Sequence, residues 1–169
     1  MGRHHRAALR DRDPRGLLTP PDDRELAVGL ARELLHQTGA LRVSIALDAG
    51  LPAVVECERF GAIVVHEEQG ELELPHDAAD EIELPADLPL MRQLPPFEVD
   101  PATGQVAGVL GGLEMLGRAL RELAALLPGK SVVAAEYETT DPDCVLGLAA
   151  RSGEPVVVLL GDHEFELDP

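Results

Sequence analysis

The stretch HEEQGELELPHDAADEIELPAD, residues 66–87, holds nine carboxylates and two histidines without a lysine or arginine. Side chains of these types do three kinds of work: they ligate a cation, move a proton, or attract something basic. Spacing decides among them. If residues 68–70 form the turn of a hairpin, Glu67 faces Glu71, His66 faces Leu72 and His76 lies opposite Ala62. The two imidazoles are then four residues apart, about 13 Å along a strand. Ligands of one zinc must each reach it at about 2 Å, so this pair does not make a zinc site. His76 and Asp80 meet only if HDAAD coils into a helical turn, and two ligands do not make a site. No metal and no cofactor is predicted.

Catalytic material is sparse. Ser44, Ser131 and Ser152 are the serines, and none sits in a G-x-S-x-G or S-x-x-K setting. Carboxylates are so numerous that proximity alone singles out no acid–base couple. Glu56 and Glu58 share one strand face, which reads as surface decoration. Cys57 and Cys144 are too few and too distant in sequence for a disulfide framework or a CxxC pair, and both read as buried thiols. The best candidate phosphate cradle is GQVAGVLGGLEMLG, where Gly104, Gly108, Gly111 and Gly112 lead into a helix. It lacks the Gly-Lys-Ser/Thr of a Walker loop. Gly108 and Gly112 at i,i+4 offer a flat helix face for close packing, with Gly108, Gly111 and Gly112 kept as a weaker anion-binding alternative.

That leaves attraction. The same hairpin register gathers Glu67, Glu71 and Glu73 on one face, together with Ile63 and Val65, and puts Ala62, Val64, Leu72 and Leu74 on the other. Like charges across a strand pair are destabilising unless hydrated or matched by a positive partner. A charged edge also guards a sheet against aggregation. Apolar residues on the acidic side favour a covered surface, so Glu67, Glu71, Glu73, Asp80, Glu81 and Glu83 are the predicted docking residues for a basic protein segment.

The charge of the whole chain agrees. Its 169 residues carry 14 basic and 31 acidic side chains, a net −17, with hydrophobic residues at 45%. Arg3, Arg6, Arg10, Arg12 and Arg15 crowd the first fifteen residues, beside Asp11 and Asp13. Residues 16–169 therefore hold 9 basic and 29 acidic groups, a net −20. Such a body repels phosphate backbones, and aromatic residues for base stacking are only 2%. Nucleic acid is not an expected partner of the acidic domain. No apolar run approaches a membrane span, and the basic start lacks the apolar core of a secretory signal, so the cytoplasm is the expected compartment.

These residues need elements to hold them. Residues 1–18 read as a flexible basic arm, and 19–169 as one acidic α+β domain. Thr19-Pro20-Pro21-Asp22 resembles a helix start with Thr19 as N-cap, followed by Leu26, Leu30 and Leu34 at helical spacing and by Gly39 as C-cap. His36 falls in the last turn, where a cation is favoured. The period then drops to two through LRVSIAL, AVVECERF, AIVVHE and ELELP, with EIELP as a weaker fifth strand. Residues 85–96 read as an irregular connection, and FEVDPATGQVAG as a short hairpin. A long helix is expected from about Val106 to Leu127, with Glu114 and Arg118 as an i,i+4 pair. KSVVAAEYET, CVLGLAAR, VVVLL and EFEL follow as strands.

Both halves, 19–85 and 97–169, thus run helix and four strands, a possible internal αββββ pseudo-repeat. The fold expected is an antiparallel meander with two main helices on a sheet. Layout and acidity resemble those of small secretion chaperones, an analogy carried by no residue motif. The run VVVLL predicts a strand covered on both sides, by a helix and by a second subunit, hence a possible homodimer. The leading reading is a non-enzymatic, adaptor-like acidic interaction module. The alternatives are a small ligand- or divalent-metal-binding domain or enzyme, using the Gly104–Gly112 helix start or Asp141 and Asp143, and a structural subunit of a larger assembly.

Overall fold

Asp22 opens the first helix. Its carboxylate accepts the Glu25 amide at 2.8 Å while the Glu25 carboxylate accepts the Asp22 amide at 3.4 Å, so two end-of-helix donors are satisfied reciprocally. The cap is therefore Asp22 rather than the expected Thr19; both positions carry a carboxylate three residues on, and the structure uses the second. The computed structural model describes residues 22–48, 53–59, 61–85, 88, 98–100, 105–107 and 110–167. The basic arm, Thr19, Gly104, Gly108 and most of the 85–96 connection lie outside these described residues.

Helix α1 (Asp23–Thr38) ends at Gly39, whose φ of 72° is the left-handed exit that a Cβ would disfavour. Strands β1 (Arg42–Leu47), β2 (Ala53–Glu58), β3 (Ile63–Glu67) and β4 (Gly70–Leu74) follow. A 3-10 turn spans His76–Glu81, and a separate antiparallel pair joins β5 (Glu98–Asp100) to β6 (Gln105–Ala107). Helix α2 (Leu110–Ala124) precedes β7 (Val132–Glu138), β8 (Val145–Arg151), β9 (Val156–Leu160) and β10 (His163–Leu167). The second helix thus starts later than Val106, because 105–107 pairs as a strand.

The fold is α+β: an eight-stranded antiparallel sheet in the order β10-β9-β8-β7-β1-β2-β3-β4, with two main helices packed on it. Each half is a four-strand meander, and the halves join where β1 pairs with β7, Ile45 opposite Val133. β2, β3 and β4 begin at 53, 63 and 70, and β8, β9 and β10 begin at 145, 156 and 163, displacements of 92, 93 and 93. The second and third connections match between the halves, four and two residues long, while the first has five residues in one and six in the other, and the strand order is symmetric about the β1–β7 seam. Each main helix is followed by four antiparallel strands, and the half 97–169 carries the β5–β6 pair in addition.

Period-two patterning sorts the strands. Val43, Ile45, Val55, Cys57, Val133, Ala135, Leu146, Leu148, Val158 and Leu160 alternate inward and are almost fully buried. α1 lies over β1 and β2, α2 over β7, β8 and β9. Leu30 and Leu34 of α1 and Leu113, Leu116, Leu120 and Leu123 of α2 fill the space between helices and sheet. Each such leucine stabilises the fold by about 1.5–3 kcal/mol relative to exposure. Tyr137 of β7 ties the halves together: its hydroxyl donates to Thr38 Oγ1 at 2.9 Å, and Thr38 donates on to the Leu34 carbonyl at 2.6 Å.

EIELP is not a strand. The 3-10 turn leads Ile82 and Leu84 across α1 at Gly29, where a Cβ would come within 2.8 Å of Leu84 Cδ2 and 3.0 Å of Ile82 Cγ2. The missing side chain admits this cover, and β4 stays at the sheet edge. Gly29→Val is expected to cost about 1–3 kcal/mol by overpacking. A urea midpoint equal to that of the parent protein would refute that contact.

Candidate functional site

The two helices occupy one face of the sheet, so the alternate residues of all eight strands point to the other. Outward residues on that second face are exposed or half-buried, unlike their inward neighbours. The strand registers place one row straight across it: Glu166, Val157, Ala149 and Ala134 from the second half, then Ser44, Glu56, Val64 and Glu73 from the first. A neighbouring row runs Glu164, Leu159, Gly147, Glu136, Arg42 and Glu58. The middle of the face is small and apolar, and its margins are acidic.

At the middle the small side chains leave a groove of about 240 Å³ over β1, β7 and β8. Ser44, Ala134, Gly147 and Ala149 form its floor, with Leu159, Arg42 and Glu136 around it. Leu159 is 49% and Val145 42% exposed, both on this face. Eight glutamates share the face: Glu56, Glu58, Glu71 and Glu73 from the first half, Glu136, Glu138, Glu164 and Glu166 from the second. Against them stand Arg42 and Arg151, with His66. Arg42 pairs with Glu56; His66 lies 2.6 Å from Glu56 and 3.2 Å from Glu71; Arg59 reaches Glu138 at 2.5 Å. Glu58, Glu73, Glu136, Glu164 and Glu166 form no ion pair among the described residues.

The docking residues read from the sequence divide here. Glu71 and Glu73 are on the open face. Glu67 is on the helix side, paired with Arg24 of α1, so the three do not share a face. The turn is two residues, not three: Glu67 pairs with Gly70 and His66 with Glu71. Gly70 takes φ 132°, a region costly for other residues, and closes the shorter turn. This slip of one position turns every side chain of β3 over relative to β4. Ile63 and Val65, expected among the acids, are fully buried on the helix side of the sheet instead. Asp80 pairs with Arg32 of α1, Glu81 closes the 3-10 turn, and Glu83 is exposed beyond it. None of these three lies on the sheet's open face.

Other candidates take structural places. His76 Nε2 bonds the Gly61 carbonyl and its ring stacks on His36 at 6.1 Å, away from His66. Asp141 accepts the Asp143 amide at 3.0 Å in a local turn. No group of three or more His, Cys, Asp or Glu arranged for a metal occurs among the described residues. Gly111 and Gly112 fall in the first turn of α2. The close approach of that helix to the sheet is at Gly117, where a Cβ would stand 3.0 Å from Leu167 Cδ1 and 3.4 Å from Val156 Cγ2. Cys57 and Cys144 are both free and buried, as read from the sequence, and burial pushes the Cys57 thiol up to about 11.

Sequence reasoning missed the groove. Its signal was present as Ser44, Ala134, Gly147 and Ala149, small residues at the outward positions of three strands. Only the β1–β7 seam makes them adjacent. No helix among the described residues is long and apolar enough to cross a membrane. No family model, curated protein or solved structure matches the chain.

Proposed function

We propose that the protein is a non-enzymatic interaction module that holds a basic, partly apolar segment of a partner protein on the open face of its sheet. One observation carries this reading: among the described residues both main helices lie on one side of the sheet, and the other side joins a small-residue groove to a surplus of glutamates without ion-pair partners. A sheet face with Leu159 and Val145 exposed and Val157 half-buried gains by being covered. The floor of alanine, serine and glycine lets a segment approach the backbone closely. The glutamates select the sign of its charge and speed its arrival, since exposed charge contributes more to encounter rate and orientation than to affinity. Two of the acids named from the sequence, Glu71 and Glu73, belong to this surface; Glu67 and Asp80 hold helix α1 instead.

The test is titration with a fluorescent 12-residue peptide of alternating arginine and leucine. Binding should weaken steadily between 20 and 300 mM salt. Glu136→Lys/Glu164→Lys, beside the groove, should weaken it tenfold or more. Gly147→Val should do the same without loss of fold, because a Cβ at Gly147 meets Leu159 at an ordinary 3.7 Å and the larger side chain fills the groove. Glu114→Lys/Glu122→Lys makes the same change of charge on exposed positions of α2. If that pair weakens binding as much as the groove pair, attraction is bulk acidity and the site is refuted.

A further inference from the structure

We infer that the resident occupant of the open face is the chain's own arginine-rich N-terminal segment, residues 3–15, lying over the β1–β7–β8 groove. This inference rests on the docking surface proposed above and names what covers it. Three observations point to this segment.

The first is charge. The arm carries Arg3, Arg6, Arg10, Arg12 and Arg15 against Asp11 and Asp13, in a chain that otherwise has 9 basic and 29 acidic residues. The open face offers Glu58, Glu73, Glu136, Glu164 and Glu166 without ion-pair partners among the described residues. Two oppositely charged sets of similar size belong to one polypeptide, and tethering gives the contact a high effective concentration.

The second is reach. The described chain starts at Asp22, and Arg24 pairs with Glu67 at the end of β3, so that start lies near the end of this strand. From β3 to β8 is four strand spacings, roughly 19 Å. The thirteen residues from Leu9 to Asp22 extend to about 43 Å, enough to leave the helix layer, pass the sheet and cross to the groove.

The third is composition. Ala7-Ala8-Leu9 sits between Arg6 and Arg10, a short apolar run flanked by cations. That order matches a groove floored by Ala134, Gly147 and Ala149 with glutamates at its margins. A second copy of the sheet face fits less well, because it would bring eight glutamates against eight. The consequence is competition: a partner's basic segment must displace the arm, so the arm sets a threshold for binding.

The arm is tested directly with a nitroxide on Ala7→Cys in the full chain, the native cysteines being buried. At 20 mM salt the amide signals of Ala134, Gly147 and Ala149 should lose more than half their intensity, and those of Met115 and Leu126 should keep theirs. The loss should vanish at 0.5 M salt and in a chain with the five arm arginines changed to glutamine. Attenuation that is absent, equal on the helices, or present only when spin-labelled and isotope-labelled chains are mixed overturns the intramolecular contact. The arginine–leucine peptide separates the two proposals. It should bind the five-glutamine chain at least tenfold more tightly than the parent. Equal binding to both, without attenuation, removes the arm and keeps the docking face. Attenuation with no peptide binding to either chain keeps the arm's contact and removes the general docking role.

Discussion

Raising the pH from 9 to 12 is expected to remove on the order of 5 kcal/mol of folding stability, most of it through two buried side chains. Desolvation raises the Cys57 thiol from 9.0 to about 11, and raises the Tyr137 hydroxyl from 10.0 to about 12. Both groups are acids that the fold keeps neutral. Their folded values exceed the unfolded ones, so the contribution is fully present below pH 9. It declines from 9 to 11 for Cys57 and from 10 to 12 for Tyr137, because the unfolded chain releases its protons first. The background is unusually quiet: the chain has one lysine and one tyrosine, and its arginines stay charged throughout. Urea midpoints at pH 8 and 11.5 should therefore differ strongly in the parent and far less in Cys57→Ala/Tyr137→Phe. Parallel declines in both proteins would show that these two groups do not govern alkaline stability.

Leu120→Ala should cost about 3–5 kcal/mol, a large share of what a domain of this size possesses. Leu120 is fully buried on α2, where that helix rests on β7 and β8. Truncation removes its transfer energy and leaves a cavity that a helix held along its whole length cannot close. Met115, on the same helix, is 52% exposed, and Met115→Ala should stay within about 0.5–1 kcal/mol. A Leu120→Ala midpoint close to that of Met115→Ala would contradict the packing of α2 on the sheet.

Much of the fold was legible because its signals are local. The 3.6-residue spacing of Leu26, Leu30 and Leu34 and the exit at Gly39 define α1 without reference to the rest of the chain. VSIAL, AVVEC and VVAAEY alternate cleanly, and their buried sets are those the alternation requires. Less of the candidate site was legible. AIVVHE is apolar at Ala62, Ile63, Val64 and Val65 in succession, so its pattern does not say which set faces inward. A two-residue rather than three-residue turn therefore moved Glu67 to the helix side and left Glu71 and Glu73 on the other.

What the amino-acid sequence determined by itself is the kind and order of the two main helices and the eight sheet strands, the burial of the cysteines and the surplus of negative charge, because each follows from neighbours within a few positions. Tertiary structure alone decided which glutamates share a surface and where the groove lies. Those depend on the pairing of β1 with β7, which brings Ser44 beside Ala134 although they stand 90 positions apart, and on both helices choosing one face. An outward residue on a strand carries no mark of what will lie next to it across the sheet; only the order of the strands supplies that.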